Sequence, residues 1–285
     1  MISVVLCVRN GEEHIGAQLE SLALQDFDGT WELVVVDDRS TDRTAEIVGS
    51  WDERLPVRLV HVRDGNGLAN ARNVGIEEAT GDLVLFCDAD DVAAPGWLSA
   101  MAAAGARSTV LGGHLEERLL NRGGIVDWRY PLTDGALPGA FGRWRTPVGA
   151  NMGFSTALLR ELGGFDPALS TGEEVDLAIR AQLAGHTPVY VPDAVMHYRH
   201  RDSLRHLAKQ AYSYGRGNAD LYRRYRSGAI ETGVSRQLVG AIGRVLRGAP
   251  RAALDRSKRG AWVRYAAYTA GQVTRGVQLR ALWIG

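Results

Sequence analysis

The chain has 285 residues, 45% hydrophobic and 23% charged, the composition of an ordinary globular protein with room for one large domain or two. Nowhere do ~18 apolar residues run consecutively, which excludes a membrane-spanning helix. Formal net charge is zero, yet residues 201–285 hold 17 Lys/Arg against 4 Asp/Glu, while residues 1–200 hold 16 against 29. That asymmetry predicts an acidic, metal-using body and a basic tail that meets an anionic partner.

The N-terminus, Met1-Ile2-Ser3-Val4-Val5-Leu6-Cys7-Val8, lacks the basic leader and cleavage site of a signal peptide, so a cytoplasmic protein is expected. Ile2 to Val8 reads as a strand, followed by an Arg9-Asn10-Gly11 turn and a helix from about Glu12 to Leu24. Leu33 to Val36 is a second strand ending in Asp37-Asp38, and Ser40-Thr41-Asp42 offers caps for a helix over Arg43–Trp51. Val57 to Val62 is a third strand, and Leu68 to Ala79 a helix. Strands and helices alternating at this spacing predict βαβ units and a parallel sheet. Cys7 and Cys87, the only cysteines, lie in apolar strands and are read as buried free thiols. Gly65-x-Gly67-x-x-Asn70 lacks the third glycine of a dinucleotide fingerprint and follows the third strand rather than the first, so a Rossmann dehydrogenase is set aside.

Leu83 to Cys87 is a strand apolar on both faces, and it stops abruptly at Asp88-Ala89-Asp90-Asp91. At the C-terminal edge of a parallel sheet, where ligands bind, Asp88 and Asp90 stand two residues apart and share a direction if the backbone stays extended. Such a pair suits one divalent cation; a polar turn after a strand is the plainer reading. Pro95 opens a helix through Ala104, Val110 to Leu120 has strand-like stretches, and Gly123 to Arg145 is irregular, as segments that shape or cover a pocket are. Gly149-Ala150-Asn151-Met152-Gly153 precedes a helix over Thr156–Leu162. Gly172-Glu173-Glu174-Val175-Asp176-Leu177 then opens a helix to Ala184, its acids suited to the helix dipole or to chemistry. Val189–Val191 and Ala194–Met196 read as short strands before His197-Tyr198-Arg199-His200-Arg201.

Taken in order, Val8-Arg9-Asn10, Val36-Asp37-Asp38-Arg39-Ser40-Thr41-Asp42, Ala71-Arg72-Asn73-Val74-Gly75, Asp88-Ala89-Asp90-Asp91, Gly149-Ala150-Asn151, Gly163-Gly164-Phe165-Asp166 and the Gly172–Leu177 motif resemble the inverting glycosyltransferases of family 2. The resemblance spans about residues 2–200. It implies an α/β, GT-A type fold: a mostly parallel sheet flanked by helices over residues 1–200, with a helical basic extension over 201–285. It also implies single transfer of a sugar from a nucleotide-sugar donor of UDP, GDP or dTDP type to a glycan or lipid-linked acceptor, in cell-wall or polysaccharide biosynthesis, with no nucleic acid involved.

By the same resemblance Mg²⁺ or Mn²⁺ is held by Asp90 and Asp88, with His197 as a third metal or diphosphate contact and His200 competing for that role. Val8, Arg9, Asn10, Asp37, Asp38, Arg72, Asp88, Ala89 and Asp90 face the donor, with Asp91 in support. Gly149, Ala150, Asn151 and Glu173 line the acceptor side. Inversion needs a base for the acceptor hydroxyl. The family places an aspartate there; this chain has Glu174, one methylene longer, with Glu173 as the alternative. Processive relatives carry Gln-x-x-Arg-Trp and several spanning helices, whereas the matching stretch here reads Gln210-Ala211-Tyr212-Ser213-Tyr214.

Two other classes compete. A nucleotidyltransferase also uses paired aspartates, but its Gly-rich basic loop after the first strand is missing from Arg9-Asn10-Gly11-Glu12-Glu13. A non-catalytic sugar- or lipid-binding descendant would lose Asp90 or the acidic base, and neither is lost.

In the tail, Leu204, Leu207, Ala211, Tyr214, Asn218, Leu221 and Tyr225 recur at three- and four-residue steps, predicting a helix packed on the body. From Val234 onward Arg236, Arg244 and Arg247 fall opposite Val234, Leu238, Ile242 and Val245, the layout of an interfacial helix on an anionic membrane. Trp262, Tyr265, Tyr268 and Trp283 then suit the headgroup region. Packing on the body or on a second subunit is the competing reading.

Overall fold

The computed structural model describes residues 1–121, 132–226 and 234–280, the side chains of 234–239 and 256–257 excepted. Four parallel strands, β1 (Ile2–Val8), β2 (Trp31–Asp37), β3 (Val57–His61) and β4 (Leu83–Asp88), lie in the order β3-β2-β1-β4. They are joined by α1 (Ile15–Ala23), α2 (Thr44–Gly49) and α3 (Leu68–Glu78). Their unbroken apolar runs follow from burial on both faces. Val4 and Leu6 join Leu33, Val35, Leu85 and the α1 residues Ile15, Leu19 and Leu22 in one cluster. Val5, Val34, Val36, Val84 and Phe86 point the other way, against Ala71 and Ile76 of α3. A Cβ on Gly75 would run into the side chains of Val5 and Val36, so glycine lets α3 sit close on the sheet.

The second half completes an eight-stranded sheet, β3-β2-β1-β4-β9-β6-β10-β5. Its elements are β5 (Val92–Ala93), α4 (Trp97–Gly105), β6 (Val110–Glu116), a hairpin of β7 (Gly139–Ala140) and β8 (Trp144–Arg145), β9 (Asn151–Ser155), α5 (Thr156–Glu161), α6 (Glu173–Leu183) and β10 (Val189–His197). Here the sequence expectation needs two corrections. Asn151-Met152-Gly153 precedes the expected helix, α5, but is itself part of a strand the sequence did not show: β9 inserts antiparallel between β4 and β6, with Met152 and Phe154 fully buried. β10 is a single strand whose register on β6 shifts between Val191 and Val195, around Pro192, which has no N–H for the ladder. Residues 123–131 of the irregular segment lie outside the described residues.

Three helices follow: α7 (Leu204–Tyr225), α8 (Val234–Leu254) and α9 (Arg256–Gln278). Ser203 caps α7 by accepting from His206 N, and Leu207, Ala211 and Leu221 are buried on the expected face. A Cβ on Gly217 would meet Thr171 O, so glycine lets α7 sit against the loop before α6. Gly215 faces Tyr268 O and Gly271 faces Tyr212 O, so α7 and α9 pack backbone to backbone. Hydrogen bonds from Gln272 Nε2 to Asn218 Oδ1 (2.8 Å) and from Arg275 Nε to Asp220 Oδ1 (2.9 Å) pin the pair.

α8 leans on α9 through Trp262 Nε1, which donates to Val245 O at 2.9 Å, and Arg244 Nε, which donates to Tyr265 Oη at 2.8 Å. Trp262 and Tyr265 are thus engaged between helices rather than free for lipid headgroups. Trp283 and the side chains of Val234, Arg236 and Leu238 lie outside the described residues. Among the described residues no helix is long and apolar enough to cross a membrane.

Candidate active site

The register that pairs Cys7 with Asp88 and Val8 with Asp37 brings the acids of β2 and β4 to one sheet edge. Beyond β4 the backbone turns, and carboxylate oxygens of Asp88, Asp90 and Asp91 come within 4.8 Å of one another. Three such groups repel one another unless a cation or protons intervene. Desolvation in the cleft pushes the Asp88 carboxyl up to about 6; nearby Arg72 opposes this and Asp90 adds to it. Asp91 is fully buried and is pushed up by that burial, with Asp88 and Asp90 contributing. Its Oδ1 accepts from Arg199 N at 2.7 Å, whereas its buried Oδ2 has no hydrogen-bond partner among the described residues. A crowded acidic group with one oxygen left over fits a divalent cation.

Residues far away in sequence fix this group. Buried Gln18 on α1 donates to Asp88 O at 3.1 Å and accepts from Ala93 N, clamping both ends of the acidic turn. Past β10, Arg199 Nε donates to Asp90 O (2.8 Å) and Arg201 Nη1 to Asp90 Oδ2 (3.0 Å). Sequence reasoning passed over Gln18, Arg199 and Arg201. Two arginines just after a strand that ends beside the acids were the available signal.

The expected metal contact His197 stands elsewhere: its Nδ1 meets Glu116 Oε2 at 2.9 Å, outside the three-carboxylate group. His200 is buried with its Nε2 3.6 Å from Glu117 Oε1, and its ring stands edge-on to Tyr198. The imidazole that lines the cleft with Asp88 belongs to His206, which the sequence reading did not single out.

Arg72, expected to contact the nucleotide from the third helix, lines the cleft with Asp88. Only 3% exposed, it donates from Nη1 to Glu173 Oε1 at 2.7 Å and from Nη2 to Gly149 O at 3.2 Å, and Nη2 lies 3.7 Å from Asp88 Oδ1. A Cβ on Gly149 would enter the guanidinium, so that glycine is what admits the arginine. Glu173, expected on the acceptor side, is thereby tied to Arg72. Its neighbour Glu174 is half-buried and lines the cleft. Burial, with the Glu173 charge next, pushes the Glu174 carboxyl up to about 7 against the pull of Arg72. Gly172, at φ +81°, supplies the left-handed turn that starts α6 and sets both glutamates in its first turn.

Two cavities meet at Glu174. One, of about 540 Å³, is polar, with Arg72, Asp88, Glu173, Arg201, His206 and Lys209 on its walls. The other, of about 430 Å³, lies among the β7–β8 hairpin, α7 and α9. Glu174, Val148, Thr171, Tyr198, Gln210 and Tyr214 line both. Gly149 and Ala150 line the polar cavity, but Asn151 is fully buried, with its amide holding Trp97 Nε1, His114 O and Ala194 O. Asn151 therefore ties sheet to helix and faces neither cavity.

The remaining residues expected on the donor side form a loop girdle. Asn10 Oδ1 accepts from Thr41 N and Asp37 Oδ1 from Ser40 N, and Asp38 Oδ1 accepts from Arg39. Val8 has its side chain in the core, and its carbonyl accepts from Asp38 N at 2.8 Å. Arg9 is exposed beside them. Cys7 and Cys87 are free thiols raised by burial, Cys7 to about 12, and neither is poised to react.

The chain matches the family models "Glycosyl transferase family 2" over residues 3–119 and "Glycosyl transferase family group 2" over residues 83–284. It is 42% identical over 91 residues to the poly(ribitol-phosphate) beta-N-acetylglucosaminyltransferase TarS of Staphylococcus aureus, covering 31% of this chain and 16% of that one. It is 29% identical over 239 residues to the pre-mycofactocin glycosyltransferase of Mycobacterium tuberculosis, covering 79% of this chain and 48% of the relative. The chain thus spans less than half the length of these relatives. Among solved structures, mannosyltransferase PcManGT from Pyrobaculum calidifontis in complex with GDP-Man and Mn²⁺ superposes with a TM-score of 0.68 at 20% identity, covering 96% of this chain and 86% of that one. The glucosyl-3-phosphoglycerate synthase of Mycobacterium tuberculosis, in complex with Mn²⁺, UDP and phosphoglyceric acid, gives 0.58 at 25% identity, covering 82% and 81%. With a GT-A sheet that ends in a group of three aspartates, and a family model matched from the central strand to the last helix, the chain belongs to the family 2 glycosyltransferases.

Proposed function

We propose that this enzyme is a metal-dependent, inverting glycosyltransferase that makes a single transfer from a nucleotide-sugar donor to an acceptor hydroxyl. The observation that carries the reading is the place of Glu174, a carboxyl poised near neutrality where a polar, cation-lined cavity meets a second cavity. Residues 1–200 supply the donor half, and residues 201–285 complete the cleft through α7. Two solved relatives carry nucleotide or nucleotide sugar together with Mn²⁺, which supports a donor of UDP or GDP type alongside the dTDP alternative.

Asp88, Asp90 and Asp91 would hold Mg²⁺ or Mn²⁺, which when bound neutralises charge on the leaving diphosphate. Arg201, Lys209 and His206 face the same space and place hydrogen-bond donors there. Arg72 sits behind Asp88 and Glu173 and holds both, a positioning role more than a direct donor contact. Glu174 takes the proton of the acceptor hydroxyl. The acceptor oxygen then bonds to the anomeric carbon, the bond from that carbon to the diphosphate oxygen breaks, and the nucleoside diphosphate departs. A general base with its pKa near the working pH is the efficient one.

The exposed Ile242 and Leu246 of α8, with the exposed Arg247 and Arg251 further round the same helix, support contact of the tail with an anionic membrane on its cytoplasmic side. Thermal shift with UDP-, GDP- and dTDP-sugars, with and without Mn²⁺, tests the central reading. A ligand at a hundred times its Kd adds about 2.7 kcal/mol, so one nucleotide class should raise the melting temperature, and only with metal. No rise with any of them, together with no donor hydrolysis, would overturn the proposal.

A further inference from the structure

Resting on that reading, we infer that the second cavity is the acceptor site and that it selects an acceptor with an apolar, uncharged aglycone joined to the reacting hydroxyl. The cavity holds about 430 Å³, within the size range of small-molecule sites. Its walls are Phe141 and Pro138 of the hairpin segment, Val175 of α6, Leu207 and Leu221 of α7, and Tyr268 of α9. The ionisable acids and bases on the lining are Glu174, at the junction with the donor cavity, and Arg264; tyrosines complete the set.

An acceptor made wholly of sugar would set most of its hydroxyls against these carbons, because the hydrogen-bonding groups of the lining, Thr146, Thr171, Gln210, Asn218 and the tyrosines, make up the smaller part of its surface, and each hydroxyl left without a partner is unfavourable to desolvate. An alkyl or aryl body loses nothing there and gains by leaving water. The space is also built rather than incidental. α7 and α9 are locked backbone to backbone at Gly215 and Gly271, so Leu207, Leu221 and Tyr268 cannot close in without parting the two helices. A hydroxyl carried at the Glu174 end of such a molecule meets the base, with the donor cavity on the other side. The reaction is the one already written: its proton goes to Glu174, and the oxygen takes the sugar as the nucleoside diphosphate leaves.

The test compares octyl β-glucoside, phenyl β-glucoside and methyl β-glucoside, all below micelle-forming concentration, on the full chain. The first readout is displacement of the neutral fluorophore N-phenyl-1-naphthylamine, and it needs no donor. Octyl and phenyl glucosides should displace it with affinity rising by ~4-fold per buried methylene until the cavity is full, while methyl glucoside should not displace it. Filling the cavity by Val175→Trp, or from the hairpin by Ala140→Trp, should abolish fluorophore binding, whereas Asp90→Asn should leave it intact. The second readout is transfer from the donor that gives the thermal shift, with kcat/KM at least ~10-fold higher for the octyl or the phenyl acceptor than for methyl. Whichever of the two dominates identifies the aglycone as aliphatic or aromatic. Donor hydrolysis with equal use of all three acceptors would sink this inference and leave the enzyme reading standing. Absence of saturable fluorophore binding, or binding that both tryptophan variants keep, would sink it whatever the donor chemistry does.

Discussion

Arg72 Nη1 stands 2.7 Å from Glu173 Oε1, and both side chains are nearly excluded from water, at 4% and 6% exposure. The pair joins α3 to the start of α6, and the same guanidinium reaches Gly149 O and Asp88. It therefore sets the spacing between the acidic turn and the helix that carries Glu174. Removing one partner of such a pair leaves a charge buried without compensation, for which about 3–5 kcal/mol is usual.

Arg72→Met should accordingly lower unfolding stability by about 3–5 kcal/mol in denaturant titration, more than Glu173→Gln, whose amide can still accept from the guanidinium. The double change Arg72→Met with Glu173→Leu should recover much of the loss. A single Arg72→Met within ~1 kcal/mol of the parent would mean that the pair does not hold the two helices.

The three aspartates give a second expectation. If they share one cation, Asp90→Asn should abolish Mn²⁺-dependent nucleotide binding in calorimetry while leaving the melting temperature of the apo protein close to the parent's, because Asp90 is partly exposed and meets Arg201 across a surface pair. Asp91→Asn should behave differently. Asp91 is fully buried beneath the backbone of Arg199, so its change should act on folding as well as on metal. Full activity of Asp90→Asn in excess chelator would refute metal dependence.

The pH profile follows from Glu174. Its carboxyl is raised to about 7 by burial and then by Glu173, and it must be ionised to accept a proton. The kcat/KM for transfer should thus fall tenfold per unit as pH drops below about 7, with a plateau above. Glu174→Gln should lose ~10²–10⁴-fold in rate and flatten that limb while binding nucleotide as before. An acid limb that survives in Glu174→Gln would reassign the base.

Much of this was legible in the chain because its first half is local and repetitive. A strand that is apolar on both faces, alternating with helices, reads as a covered strand of a parallel sheet, and β1, β2 and β4 each end at the polar residues their register brings together. What escaped was long-range. β9 is five residues containing an asparagine and a glycine, and its strand character comes from the neighbours β4 and β6 rather than from its own pattern. Asn151 was placed on the acceptor side by resemblance of the Gly149-Ala150-Asn151 motif, yet its side chain satisfies backbone carbonyls inside the sheet. Gln18 reads as one more polar residue of an amphipathic helix, and only the packing of α1 beneath the acidic turn shows what it holds. His197 and Arg72 were assigned by motif position, and their nearest partners, Glu116 and Glu173, lie 81 and 101 residues away in sequence.

The last expectation concerns α8. Ile242 and Leu246, one turn apart, are 44% and 68% exposed, and Arg247 is exposed further round the helix. Ala241, by contrast, is fully buried, and Val245 O is held by Trp262, so the helix has one face on α9 and another facing out. An outward apolar strip with arginines on the other side of the helix is a layout that favours an anionic lipid surface, each basic group near it contributing ~1 kcal/mol at low salt. Ile242→Ser with Leu246→Ser alters neither the α9 contact nor the cleft, so fold and donor hydrolysis should be unchanged. The parent chain should float with phosphatidylglycerol-containing vesicles at low salt and be released at high salt, and the double variant should stay at the bottom of the gradient. Flotation of both proteins alike would move the lipid contact away from α8, and failure of the parent to float at low salt would leave the basic tail with packing on α7 and α9 as its role.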